Sequence, residues 1–307
     1  GRMILSRTLW PLLFGGGLFA TSLALASDHP LLWFNVTYVA VALVIAVFER
    51  LMPHETVWLQ SDQETVDNLA HTFLNKGLVQ IGAAVASSLS MVAATTVEPA
   101  LRASTSPWPS DWPLAAQVVL GLLIAELGLY IAHRSAHESR LLWRFHALHH
   151  SVRRLWVLNT GRFHFADTLF KIALSQTPLY LLGAPLPVFL WISAMTAFTG
   201  LLTHCNIDLR TGAFDFIFST PTLHRWHHSK VLAEGNRNYG ENLVFWDQLL
   251  GTYYNPARRP PTDIGISGRI ASGFLRQLVQ PFTADGVRAI FQALPEQSAD
   301  VKTSSRR

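Results

Sequence analysis

The sequence predicts an all-α integral membrane protein, a transmembrane helix bundle carrying a cytoplasmic histidine-rich helical cap. Three observations lead there. Half of the 307 residues are apolar and only 14% are charged, a balance that fits membrane better than water. Several apolar runs approach the ~20 residues that span a bilayer core. Ten of the thirteen histidines lie between His133 and His228, most at spacings that only a helix turns into one face.

The runs extend from about Trp10 to Ala26, Leu31 to Phe48, Gly77 to Val97 and Pro113 to Ala132, and each is read as one pass. The first, with Arg2 and Arg7 ahead of it and Ala24-Leu25-Ala26 behind, has the outline of a secretory signal, but its length favours a retained helix. A fifth apolar region, Leu169 to Thr203, is interrupted by Pro178, Gly183, Pro185 and Pro187. It is expected to make two passes that turn near Leu182 to Pro187.

Orientation follows from the arginines. The connections near residues 27 to 30 and 98 to 111 hold Arg102 alone, whereas Arg134, Arg140, Arg144, Arg153, Arg154 and Arg162 crowd the stretch after the fourth run, which assigns that stretch to the cytoplasm. Four passes and a returning hairpin bring Thr203 back to the same side, so all ten histidines can meet. The formal charge of +4 is assigned to contact with anionic lipid headgroups, since no basic and aromatic groove points to nucleic acid. The single Cys205 excludes an internal disulfide and a four-cysteine metal site. Gly15-Gly16-Gly17 lies within an apolar run and is read as a helix-packing surface.

On the fourth helix Glu126, Tyr130, His133 and His137 recur at three- and four-residue steps and form one inward stripe. A carboxylate in a span is costly without a partner, and a ligating imidazole needs an acceptor for its second N–H, so Glu126 is expected to serve one. His146-x-x-His149-His150 and His224-x-x-His227-His228 repeat one spacing, the latter after a helix-starting Thr220-Pro221. The eight histidines of these boxes, with His164 and His204, exceed what a single ion can use. Imidazole alone leaves zinc, copper, iron and nickel open, but tetrahedral zinc would be overfilled where five- or six-coordinate iron would not. A pH-sensing or solvated histidine surface is the bland alternative.

These strings resemble the fatty acid hydroxylase and sterol desaturase superfamily of integral membrane di-iron oxygenases. The resemblance runs from about Leu122 to Tyr254: Tyr130-x-x-His133-Arg134-x-x-His137, the two boxes, Asn159-x-x-Arg162-Phe163-His164, His204-x-Asn206, Asn238-Tyr239-Gly240 and Trp246-Asp247-x-x-x-Gly251-Thr252. It implies two irons held by His133, His137, His146, His149, His150, His164, His204, His224, His227 and His228, with dioxygen as co-substrate. It also implies a lipid substrate, whether sterol, fatty acyl or related, hydroxylated at an unactivated C–H. Desaturation and ether-lipid cleavage on the same site stay open, and a histidine-rich metal transporter or sensor and a zinc hydrolase are the rivals from other classes.

Such chemistry consumes electrons, yet the sequence has no G-x-G-x-x-G and no cysteine set for iron-sulfur binding. A separate donor, a reductase with a haem or iron-sulfur carrier, is therefore expected on the basic face. Asn159, Asp167, Asn206 and Asp247 join Glu126 as residues that would orient ligands. Phe145, Trp156, Phe163 and Trp226 are expected along the path of an aliphatic chain. Residues 1–112 are read as N-terminal transmembrane helices, 113–256 as the di-iron hydroxylase domain, and 257–307 as C-terminal interfacial helices with a disordered polar end from about Ser298.

Overall fold

The computed structural model describes residues 1–96 and 107–292. Arg102 and the polar end from Ser298 lie outside them. The described residues are helical, with isolated bridges such as Pro53 to Ile207 in place of a sheet. The long helices are α1 (Arg2–Leu25), α2 (Pro30–Leu51), α3 (Thr65–Thr96), α4 (Leu114–Glu138), α6 (Phe165–Leu182) and α7 (Leu186–Thr203). Between them α5 (Arg140–His150) begins the cap. It continues through α8 (Pro221–His227), α9 (Leu232–Gly235), α10 (Phe245–Leu249), α11 (Phe274–Val279) and α12 (Ala284–Phe291). Among the described residues four helices, α1, α2, α4 and α7, are long and apolar enough to cross a membrane.

Several helix boundaries differ from the apolar runs for one reason: polar turns are buried in the cap and so remain helical. The third helix starts at Thr65 instead of Gly77, with Asn68, His71 and Asn75 buried in its first turns. The fourth continues past Ala132 to Glu138 and thereby carries both of its histidines. The fifth region does fold back, α6 ending on Gly183 at φ 80° before Pro185 starts α7. A left-handed residue there is what glycine supplies at little cost.

Packing is close where small residues meet neighbours. Gly128 of α4 lies so near α6 that a Cβ would sit 2.1 Å from the Leu174 carbonyl oxygen. A Cβ on Gly17 would fall 2.8 Å from the Phe198 ring, closer than real contacts allow, whereas one on Gly15 or Gly16 would meet open space. One core joins α1, α2 and α7 through Leu9, Trp10, Phe14, Ile45, Phe198 and Leu202, with Cys205 inside it. The outer face of α2 is left apolar and exposed at Leu32, Val36, Val39, Leu43 and Val47, as a lipid-facing surface is.

The cap gathers helix ends. The Ser6 carbonyl near the start of α1 accepts from the Arg210 N–H, and Glu49 near the end of α2 accepts from the N–H groups of Val157 and Asn206. The ends of α4 and α7 and the starts of α3 and α6 meet the same layer, which is the returning hairpin's consequence. Arg154 and Arg162, two of the arginines crowded after the fourth run, are internal braces. Arg154 clasps Asp62 at 2.9 and 3.0 Å, and Arg162 reaches Asn68 and Glu64.

Candidate metal centre

Nine histidines converge into two adjacent groups. His133 and His137 lie one turn apart on α4, His146, His149 and His150 on one face of α5, His204 at the end of α7, and His224, His227 and His228 on α8 and its C-cap. His133, His137, His146, His150 and His227 form a group of five, and His149, His204, His224 and His228 a group of four, the ligand atoms of each within 4.8 Å of one another. The His150 and His228 rings, one from each group, stack with centroids 4.5 Å apart.

The donor set itself tests whether these residues fit metal. Five Nδ1 atoms are tied to oxygens: His133 to the Tyr239 carbonyl at 2.8 Å, His137 to Asn236 Oδ1 at 3.0 Å, His146 to Asp167 Oδ2 at 2.9 Å, His204 to Asn159 Oδ1 at 2.9 Å, and His227 to the Arg237 carbonyl at 2.7 Å. These oxygens only accept, so each Nδ1 donates and each Nε2 of the neutral ring bears a lone pair. Those Nε2 atoms then point at one another. His150 Nε2 lies 3.1 Å from the Nε2 atoms of both His137 and His146, and one N–H cannot satisfy both.

In the other group the Nε2 separations are 2.9 Å for His204 and His224, 3.1 Å for His224 and His228, and 3.2 Å for His228 and His149. The Nε2 atoms of His133 and His227 are buried with no hydrogen-bond partner. Ligands at about 2.1 Å from a metal stand about 3.0 Å apart at right angles and about 3.4 Å apart in a tetrahedron. Inward lone pairs near the first spacing fit cations at each centre, and the residues therefore fit a metal.

Protonation agrees. Burial holds His149, His150, His224, His227 and His228 well below the ordinary imidazole range, and neighbouring imidazoles push the same way. Burial lowers His204 to about 3, and lowers His146 although Asp167 opposes it. Neutral imidazole is the metal-binding form.

His164 stands elsewhere. Its Nδ1 accepts from the Ala166 N–H as the N-cap of α6, and its Nε2 donates to the Leu278 carbonyl at 3.0 Å. With both nitrogens engaged it belongs to neither group. It ties α11 to the start of α6, and His71 ties α11 to α3 through Gln277 Oε1 at 2.9 Å.

The predicted supports divide likewise. Asp167 and Asn159 contact imidazoles directly. Glu126 does not: it accepts from the N–H groups of Glu241 and Asn242 and from the Asn242 side chain. Asp247 accepts from the N–H groups of Tyr239 and Gly240 and from Thr252. Both carboxylates grip the 238–242 loop, whose Tyr239 carbonyl orients His133, so they act on the ligand at one remove. Gly240 is needed there, since a Cβ would fall 2.1 Å from the Leu243 carbonyl oxygen. Asn206 bonds to the Glu55 backbone instead of an imidazole.

Asn236, Arg237 and Tyr239 were not singled out as imidazole partners. Two of the three act through main-chain carbonyls, which leave no side-chain signal. Of the aromatics, Phe163 stacks on His149 at 4.1 Å and 10°. Phe145 meets His164 and Phe282, Trp156 lies against the Arg154 guanidinium, and Trp226 is fully buried beside Tyr254.

The fatty acid hydroxylase family model matches residues 118–252, the stretch that holds the nine histidines. The chain is 64% identical over 292 residues to ornithine lipid hydroxylase OlsE of Rhizobium tropici, covering 95% of this chain and 88% of that protein. It is 31% identical over 147 residues to alkylglycerol monooxygenase of Danio rerio, covering 48% of this chain and 32% of that one. To methylsterol monooxygenase 2-2 of Arabidopsis thaliana it is 25% identical over 152 residues, covering 48% and 56%. No solved structure matches the chain.

Proposed function

The chain belongs to the fatty acid hydroxylase family, and on that premise we propose that it is a membrane oxygenase that hydroxylates an ornithine-headgroup lipid. Two irons are its metals, one at each histidine group. The observation that carries the reading is the pair of histidine groups with inward Nε2 lone pairs. The ornithine headgroup rests on the 64% identity across nearly the whole chain.

Iron bound there supplies dioxygen reduction and the oxidising power for an unactivated C–H. The chain's own residues do the rest. Tyr239, Asn236, Asp167, Asn159 and Arg237 fix five imidazole rings by their Nδ1 edges, and so fix tautomer and aim. Burial of the site keeps bulk water from the reacting centre. Against a transporter, the ligands cluster where helices enter the cap instead of lining a path through the bundle.

The cap faces the cytoplasm, by the arginine count. Electrons come from a separate protein that docks near exposed arginines of the cap such as Arg140 and Arg153. Residues 1–112 anchor the chain, 113–256 form the oxygenase unit, and the C-terminal tail from residue 257 contributes interfacial helices. Exposed Leu275, Val279 and Phe282 support membrane contact for that tail.

The test is conversion of defined lipids by the purified protein in bilayers, with dioxygen and a reducing system. Gain of one oxygen atom by ornithine lipid, abolished by oxygen removal, is expected. Oxidation of an alkylglycerol or sterol in its place would reassign the substrate, and no oxidation of any lipid would defeat the reading.

A further inference from the structure

Lys171 follows Asp167 by one turn of α6 and is buried, 6% exposed. Its Nζ lies 2.6 Å from Glu241 Oε1 and 3.6 Å from Asp167 Oδ2, and 4.2 Å above the centre of the Phe163 ring. Each of these neighbours faces a different imidazole. Asp167 Oδ2 accepts from His146 Nδ1 at 2.9 Å, Glu241 Oε1 lies 3.8 Å from His133 Nδ1, and Phe163 is stacked on His149. None of these three contacts of Lys171 is with an imidazole.

A buried ammonium is expensive unless paired, and removing one partner of a buried pair strands the other charge. Here the stranded charges would be two carboxylates that meet only through Lys171. Without it Glu241 is repelled by Asp167 and competes with the Tyr239 carbonyl for the His133 N–H. An apolar packing position would not hold an ammonium, and a surface ion pair would not sit between two ligand-facing carboxylates.

We propose that Lys171 is a positioning residue of the five-histidine group, holding Asp167 and Glu241 in place beside His146 and His133 and thereby setting how firmly that group keeps its metal. The proposal rests on reading the two histidine groups as iron sites. It has a definite sign, because direct repulsion between ammonium and metal would make loss of Lys171 tighten the site instead.

The experiment uses the full chain, wild type and the variants Lys171→Met, Lys171→Arg and Lys171→Met/Glu241→Gln, loaded with ferrous iron without oxygen. Release to a ferrous chelator is followed, and thermal unfolding of the metal-free forms is measured alongside. Lys171→Met is expected to release part of its iron about 10- to 100-fold faster, the range for lost supports of a ligand. The remainder should leave at the wild-type rate, which a general loss of stability would not allow, while the metal-free unfolding midpoint falls because two buried carboxylates lose their partner. Lys171→Arg keeps the charge and recovers retention, and the double variant, which removes the Glu241 charge together with the ammonium and leaves Asp167 bonded to His146, recovers it too.

Wild-type or slower release from Lys171→Met overturns the proposal, as does a double variant as leaky as the single one. If Lys171→Met alone does not fold without metal, the double variant carries the comparison against wild type. Wild-type protein that binds no iron at all would instead defeat the reading of the site on which the proposal stands.

Discussion

Asp167, three residues beyond His164 in the sequence, accepts a hydrogen bond through Oδ2 from His146 Nδ1 at 2.9 Å. The carboxylate thereby sets which nitrogen of His146 faces the other imidazoles. Asp167→Ala is expected to weaken metal retention about 10- to 100-fold, the usual cost of losing such a support. Asp167→Asn, which can still accept through its carbonyl oxygen, should lose less. Metal content after dialysis against a chelator measures both.

His204 and His164 are predicted to behave differently. His204→Ala removes one of four converging nitrogens and should abolish tight binding in that group along with lipid oxidation. His164→Ala releases the Leu278 carbonyl and the Ala166 N–H and should keep full metal content. Its effect should appear as faster amide exchange or proteolysis in α11. Loss of metal from the His164 variant would restore it to the ligand set.

Glu126→Ala strands the N–H groups of Glu241 and Asn242, which this buried carboxylate satisfies. An unsatisfied buried donor costs about 1–3 kcal/mol, so a clear fall in the thermal midpoint is expected even without metal. Glu126→Gln should cost less. Equal midpoints for wild type and Glu126→Ala would contradict this account of the 238–242 loop.

The metal-free protein should be acid-labile. Burial lowers the cap histidines, among them His149, His150, His224 and His228, below the ordinary value of 6.5, so the unfolded chain binds more protons as the pH drops beneath that value. Stability is then full above about 6.5 and is lost progressively below it. Bound metal should move this loss to lower pH, because protons must displace it. Denaturant midpoints with and without metal between pH 7.5 and pH 5, roughly one unit above to somewhat more than one below the ordinary histidine value, measure the difference.

Much of the site was legible because its chemistry is carried by spacing. A ligand pair one helical turn apart and two H-x-x-H-H boxes stay on one face wherever their helices go, and nine of the ten proposed ligands meet. His164 was not separable from them, since a lone histidine before a helix reads the same whether it caps that helix or binds metal. The turn at Gly183 and Pro185 was legible from its residues. The early start of α3 was not, because Asn68, His71 and Asn75 look like loop until cap residues such as Arg162, Thr168 and Gln277 supply their partners. Glu126 was recognised as a partnered carboxylate, but its partners are backbone N–H groups more than a hundred residues away.

Elemental analysis of the purified, anaerobically loaded protein tests the centre of this account most directly. Two irons per chain, falling to one when His204 and His224 are replaced together by alanine, is the predicted result. Stoichiometric zinc that supports activity, or full iron content in that double variant, would contradict it.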